Sequence, residues 1–102
     1  MILDFSCKIT EKLFNGEALR RKEINSLGDC DLKKARQRLE TLNLSTEQSL
    51  KSLISFKYHR LSGSDYYSID TKRNSSWRIV FQWKNDEMID VKLVRLTSET
   101  HR

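Results

Sequence analysis

The stretch Trp77-Arg78-Ile79-Val80-Phe81-Gln82-Trp83-Lys84 decides the fold, because large apolar residues occupy every second position. Successive side chains of a strand point to opposite faces of a sheet. The odd-numbered residues therefore share a face that can pack on a core, and the even-numbered residues, which include Arg78, share the other. The stretch predicts a half-buried strand whose second face presents a cation.

Three further segments near this strand have strand-like composition and alternation: residues 57–61, 65–70 and 88–96. The connections between them are short. Short connections join antiparallel neighbours, whereas parallel strands need a crossover of a dozen or more residues. The second half of the chain is therefore predicted to form an antiparallel meander of four strands.

Before residue 57 the hydrophobic period becomes helical. Four apolar residues fall on one helical stripe, and basic residues stand between them: Leu32, Ala35, Leu39 and Leu42. Either Asp29 or Asp31 can cap this helix, because a short carboxylate side chain accepts from the first free backbone N–H groups. The spacing predicts a helix whose apolar stripe packs on the meander.

Three shorter segments complete the first half. Residues 2–5 suggest a short first strand, residues 11–16 a helical turn closed by Asn-Gly, and residues 44–55 a loop or a short helical turn.

The fold class expected is α+β, with an N-terminal strand and helices packed on a C-terminal antiparallel β-meander. A chain of 102 residues and 12.1 kDa accommodates one core, so residues 1–102 are expected to form a single domain.

The charge is basic and uneven. Lys and Arg total 19 against 14 Asp and Glu, which gives a net charge of +5 and a pI near 9.4. Residues 51–102 hold ten of the basic and only six of the acidic side chains. A basic excess favours a polyanion or an acidic partner. The meander is therefore the half in which a binding site is expected.

Several function classes lack the residues they need. Three glycines and no proline leave no phosphate-binding glycine loop, so enzymes that use ATP or NAD are disfavoured. Cys7 and Cys30 have no CxxC spacing, and we expect reduced, buried thiols. No HExxH motif or similar ligand spacing occurs, so no metal and no cofactor are expected. Because residues 1–5 do not resemble a signal peptide and no apolar run has membrane-spanning length, we expect a cytoplasmic protein without membrane contact.

Cations on the predicted meander form the remaining candidate site. They stand on the first strand, on a turn, on the long strand and on the last strand: Lys57, His59, Arg60, Arg73, Arg78 and Arg95. Cations bind phosphate oxygens and neutralise charge that builds up at phosphorus, and an imidazole can move a proton to or from a ribose hydroxyl. Alternation places Lys57 and His59 on one face of their strand. The set suits work on a phosphodiester.

Each of these residues also has a structural explanation. Arg78 and Lys57 can be ordinary surface charges or ion-pair partners. The rings of Trp77, Phe81 and Trp83 can form the core rather than a base-stacking platform. If Arg78 serves the site alone, Arg78→Ala should lower activity with little loss of stability.

Motifs in order along the chain resemble the HigB branch of the RelE/ParE-type bacterial toxins. They cover an N-terminal signature within residues 5–16, Lys57-Tyr58-His59-Arg60-Leu61-Ser62-Gly63, Tyr67-Ser68-Ile69, and Asn74 followed by the Trp77–Trp83 segment. The closing motif is Asp90-Val91-Lys92-Leu93-Val94. Together they span nearly the whole chain.

The resemblance implies the toxin of a type II toxin–antitoxin system that enters the ribosomal A site and cuts translated mRNA without a metal. In that family the ribose 2′-hydroxyl of the message attacks the adjacent phosphate. By this resemblance His59 would be the acid or base, Arg78 a phosphate-facing or site-shaping cation, and Lys57 a contact to the message backbone. From the cationic set itself, Arg95 is added as a third catalytic candidate and Arg60 as a further contact to the message. Lys72 and Arg73, on a turn longer than the family's, would grip RNA. The partners implied are a HigA-like helix-turn-helix antitoxin, the ribosome with its mRNA, and operator DNA only through the antitoxin.

The last strand departs from the family pattern. Family members commonly end it with Asp-Tyr-His, whereas this chain has Arg95-Leu96-Thr97. Either His101 substitutes, or His59 and the arginines suffice, or the nuclease activity is reduced. Two alternatives therefore stay open: a ParE-like toxin that inhibits a protein such as DNA gyrase without cutting RNA, and a plain RNA-binding domain.

Overall fold

The computed structural model describes residues 1–99, and these residues form an α+β fold. The helices, in chain order, are α1 Lys8–Asn15, α2 Arg21–Ser26, α3 Leu32–Asn43 and α4 Glu47–Ser52, followed by a 3-10 turn at Ile54–Phe56. The strands are β1 His59–Arg60, β2 Tyr67–Asp70, β3 Arg78–Trp83 and β4 Val91–Thr97. They form one antiparallel sheet in the order β1-β2-β3-β4, which confirms the meander.

One face of the sheet belongs to the core, as the alternation along β3 predicts. Ile69, Ile79 and Phe81 are fully buried, and Trp77 and Trp83 are each only 8% exposed. Burying such large rings is the main source of stability in a small domain, at about 25 cal/mol per Å² of apolar area. The aromatic residues of β3 are therefore core residues and not a platform for bases.

Helix α3 supplies the apolar stripe that the sequence predicts. Ala35, Leu39 and Leu42 are fully buried. Of the two possible caps, Asp31 is the one used, because its side chain accepts from the backbone N–H of Lys34 at 3.0 Å. Asp29 instead accepts from the indole Nε1 of Trp77 at 2.9 Å. The two aspartates thus fix the start of α3 and the orientation of a core ring.

The remaining segments of the first half are close to their predictions. Helix α1 ends at Asn15, and the following Gly16 has a φ of +74°, the left-handed conformation that glycine adopts readily. Residues 44–55 form α4 and most of the 3-10 turn. The predicted first strand is reduced to isolated parallel bridges, from Ile2 to Val91 and from Phe5 to Val94 along β4.

The first meander strand is shorter than predicted, and this changes the position of Lys57. Lys57 has a φ of +49° and ends the 3-10 turn, so only His59 and Arg60 pair with β2. A left-handed residue interrupts the extended backbone on which alternation depends. Lys57 and His59 therefore do not share a strand face, and that prediction is wrong.

The helices of residues 1–99 are short or polar. None has the length and apolar composition needed to cross a membrane.

Candidate functional site

The candidate site is the face of the sheet opposite the core, which we call the outer face. Residues that are directly paired across antiparallel strands point to the same face. One such row runs across all four strands as His59, Ser68, Val80 and Arg95. The neighbouring row contains Asp70, Arg78 and Thr97. The outer face is defined by these seven residues.

His59, at one edge of the outer face, is an exposed imidazole with a defined tautomer. Its Nδ1 lies 2.9 Å from the backbone carbonyl oxygen of Lys57. A carbonyl oxygen only accepts, so Nδ1 carries the proton of the neutral ring and donates it. The Nε2 of this exposed residue then carries a lone pair. This nitrogen is equipped to take a proton from a bound group.

Arg78 reaches the outer face but is tied to a carboxylate. Its Nε lies 3.3 Å from Oδ1 of Asp70, and the two side chains are 21% and 8% exposed. Its Nη1 donates to the carbonyl of Ser76 at 3.2 Å. The buried Asp70 holds the guanidinium in place and offsets much of its charge. Because Arg78 has this structural partner, its removal is expected to cost stability, contrary to the expectation from alternation alone.

Arg95 is the exposed cation at the opposite edge of the outer face. Its Nη2 donates to Oγ1 of Thr97 at 3.3 Å, and no carboxylate of residues 1–99 lies within 4 Å of its guanidinium in an ion pair. Its Cα stands three strand spacings from that of His59, roughly 14 Å at about 4.8 Å each. His59 and Arg95 are the exposed ends of this row, whereas Ser68 and Val80 between them are buried.

The other predicted cations lie away from the outer face. Arg60 alternates with His59, donates from Nε to the carbonyl of Ser64 at 2.7 Å, and so braces the β1–β2 hairpin. Lys72 pairs with Asp31 at 3.5 Å, next to α3. Arg73 is exposed on the loop between β2 and β3. His101, the suggested substitute for the family's last-strand residues, lies outside the described residues.

Two concave regions meet at Arg95 and Thr97. One, of about 450 Å³, has Val80 in it and is walled by Leu61 and Tyr66 of the β1–β2 hairpin. The other, of about 470 Å³, is lined by Cys7, Leu27 and Trp77, among others. Arg95 therefore lines both cavities.

Sequence reasoning missed Tyr66 and Ser68, which belong to this region. Within residues 65–70, the even-numbered residues Tyr66, Ser68 and Asp70 alternate with Tyr67 and Ile69. Alternation alone could therefore have placed these three residues on the face opposite the core. The hydroxyl of Ser68 is buried and has no hydrogen-bond partner within the described residues. It lies in the row between His59 and Val80.

The two cysteines are free thiols in different environments. Burial raises the pKa of Cys30 to about 11, and the neighbouring Asp31 and Asp29 add to this rise. Burial also raises the pKa of Cys7, but hydrogen bonds from Thr10 and the start of α1 outweigh it and lower that pKa overall. Within residues 1–99, no three His, Cys, Asp or Glu side chains group as a possible metal site.

Comparisons with known proteins add no relative. No protein-family model matches the chain, and no curated protein matches it either. The resemblance to HigB-type toxins therefore rests on the sequence motifs alone, and the chemistry has to be judged from the outer face itself.

Proposed function

We propose that this chain is the toxin of a type II toxin–antitoxin pair and acts in the cytoplasm as a ribosome-dependent mRNA endonuclease. A HigA-like helix-turn-helix antitoxin would neutralise it and link it to operator DNA. The substrate would be message in the ribosomal A site. The observation that carries the proposal is the exposed His59 ring, whose free Nε2 shares the outer face with Arg95.

The chemistry is a transfer within the message. His59 Nε2 takes the proton of a ribose 2′-hydroxyl, the 2′-oxygen bonds to the adjacent phosphorus, and the bond from phosphorus to the 5′-oxygen breaks. That 5′-oxygen takes up a proton from solvent water as it leaves. The products are a 2′,3′-cyclic phosphate and a 5′-hydroxyl. A positioned acid or base of this kind contributes about 10²–10⁴-fold.

The cations of the outer face would stabilise the charge that develops at phosphorus. Arg95 has an exposed guanidinium that can turn toward a phosphate from the edge opposite His59. Arg78 is less free, since Asp70 holds its Nε, and it suits a role in shaping the site. Two arginines from adjacent strands can present several N–H donors to phosphate oxygens.

The test is cleavage of a defined message on ribosomes stalled with an open A site, with the cut ends mapped. We expect cuts in the A-site codon that carry 2′,3′-cyclic phosphate, and a loss of about 10²-fold or more in rate for His59→Ala. Lys33→Ala, an exposed change on α3, serves as the matched control and should cut at the wild-type rate. An uncut message with the wild-type protein, or full activity of His59→Ala, would refute the proposal.

A second candidate is a ParE-like toxin that inhibits a protein such as DNA gyrase, and one observation favours it. Cleavage needs one group to accept a proton and another to supply one, and His59 is the single histidine of residues 1–99. Leu96 stands at the middle position of the segment where the family has Asp-Tyr-His; it is buried in the core and offers no proton. Inhibition of supercoiling by purified gyrase, with messages left intact in cells, would support this alternative.

A further inference from the structure

The β1–β2 hairpin and the outer face enclose a groove of which the proposed cleavage chemistry uses only Arg95. We call it the Tyr66 groove. Its apolar residues are Leu61, Tyr66 and Val80, and its charged residues are Arg95 and Glu99. Hydroxyls of Ser6, Ser62, Ser64 and Thr97 complete its lining. It is continuous with the row that carries His59, because Val80 belongs to both.

The hairpin fixes Tyr66 against the groove. The backbone N–H of Tyr66 donates to Oγ of Ser64 at 3.2 Å, and its carbonyl accepts from Leu61 at 2.8 Å. Arg60 braces the same turn from outside through the carbonyl of Ser64. Tyr66 is half-buried, and these bonds hold its backbone in the turn.

The chemistry of the groove matches one nucleotide. A half-exposed aromatic ring beside apolar side chains offers a surface on which a planar base can stack. Arg95 supplies a cation for the attached phosphate, and the carboxylate of Glu99 can accept from an exocyclic amino group of a base. A duplex cannot present a base in this way, because its bases are stacked and paired.

We propose that the Tyr66 groove binds a single unstacked base of RNA, with the base on the Tyr66 ring and its phosphate at Arg95. This rests on the proposed function, since it places the scissile linkage between this groove and His59. The groove then positions the message along the outer face, and the hydroxyls and Glu99 determine which bases it accepts.

The test uses the isolated full chain and two fluorescent probes of equal charge. One is a single-stranded hexanucleotide of RNA, and the other has the same phosphates with abasic residues. Because an aromatic stack contributes a factor of about ten or more per base, we expect the wild type to bind the intact probe about tenfold more tightly or better. Tyr66→Leu should lose that preference, while Tyr66→Phe should keep it.

The salt dependence separates the stack from the charge. Tyr66→Leu should leave the slope of log affinity against log salt unchanged, whereas Arg95→Gln should reduce it by about one. Ile54→Ala, a change at a residue that is 88% exposed on the 3-10 turn, is the matched surface control. Thermal unfolding midpoints within a few degrees of the wild type would show that the variants fold.

Each result decides the groove separately from the nuclease. No binding of either probe, or equal losses on both probes for Tyr66→Leu, overturns the Tyr66 groove. If messages are cut on ribosomes but Tyr66→Leu keeps the preference for the intact probe, the nuclease proposal is supported and the proposed base binding in the Tyr66 groove is refuted. If the preference for the intact probe depends on Tyr66 but no message is cut, the groove binds a base as proposed and the protein is an RNA-binding protein without nuclease activity.

Discussion

Removing the side chain of Arg78 should destabilise the protein, because the buried carboxylate of Asp70 loses its ion-pair partner and keeps only the nearby charge of Arg38. Asp70 is 8% exposed, and the Arg78 side chain that pairs with it is 21% exposed. Breaking a fully buried ion pair costs roughly 3–5 kcal/mol, and an exposed one contributes at most about 1 kcal/mol. A pair of intermediate burial should therefore cost about 2 kcal/mol.

The assay is thermal and urea unfolding of Arg78→Ala, of Asp70→Asn and of the double variant. For a domain of this size, about 2 kcal/mol corresponds to a drop of roughly 10 °C in Tm. The double variant should lose less than the sum of the single variants, by about 1–2 kcal/mol, because the two side chains share one interaction. Arg95→Ala is the matched control on the same face, and we expect a change below about 0.5 kcal/mol.

An additive cycle, in which the two losses sum within about 0.5 kcal/mol, would refute the pairing argument. So would an Arg78→Ala variant as stable as the control. In that case Arg78 would be free to serve a phosphate alone, as the alternation of β3 first suggested. A destabilised variant that also loses cleavage activity has to be compared with the wild type at a temperature where both are folded.

Two further predictions concern the residues that fix the core and the start of α3. Trp77→Ala should lose roughly 3–5 kcal/mol in urea unfolding, since it opens a core cavity and leaves Asp29 without its indole donor; a loss below about 1 kcal/mol would contradict a core role. The backbone N–H of Lys34, followed by the charge of Lys72, lowers the pKa of Asp31. The carboxylate therefore stabilises the fold above its unfolded pKa of about 3.9, and this contribution is lost as the pH falls through the lower folded value. Asn also caps helices, so Asp31→Asn removes the charge and keeps the cap. The difference in Tm between the wild type and this variant should be constant above about pH 5 and shrink below about pH 4. A difference that grows as the pH falls would contradict the lowered pKa of Asp31.

The fold was readable from the sequence where one interaction dominates. Along β3, burial of every second large side chain fixes the register of the sheet, since a slip of one residue would expose the Phe81 ring. Along α3, the stripe that ends at Leu42 fixes the buried face in the same way. These patterns predict the elements because apolar burial acts on each position separately.

The candidate site could be predicted less well from the sequence, because the positions and partners of its side chains depend on contacts between segments that are distant in the sequence. That Arg78 pairs with Asp70 follows from the register of β2 against β3, which sequence spacing does not give. The position of Lys57 depends on a left-handed turn for which the sequence offers neither Gly nor Asn. Candidate cations chosen by charge therefore include residues such as Lys72, whose partner is on another element.

Strand β4 shows how a single backbone irregularity decides which cations share a face. Counting by twos from the fully buried Val91 places Arg95 on the core face. In the structure Lys92 pairs with Gln82 and Arg95 with Val80, so two residues of β4 stand opposite Phe81 alone. One of them, Leu93, has a φ of +54°, and this bulge reverses the alternation that follows it. Arg95 thereby reaches the outer face that carries His59. In the sequence, the only sign of this bulge is a shift in the spacing of the apolar residues of β4. Without the extra residue, Arg95 would point toward the core.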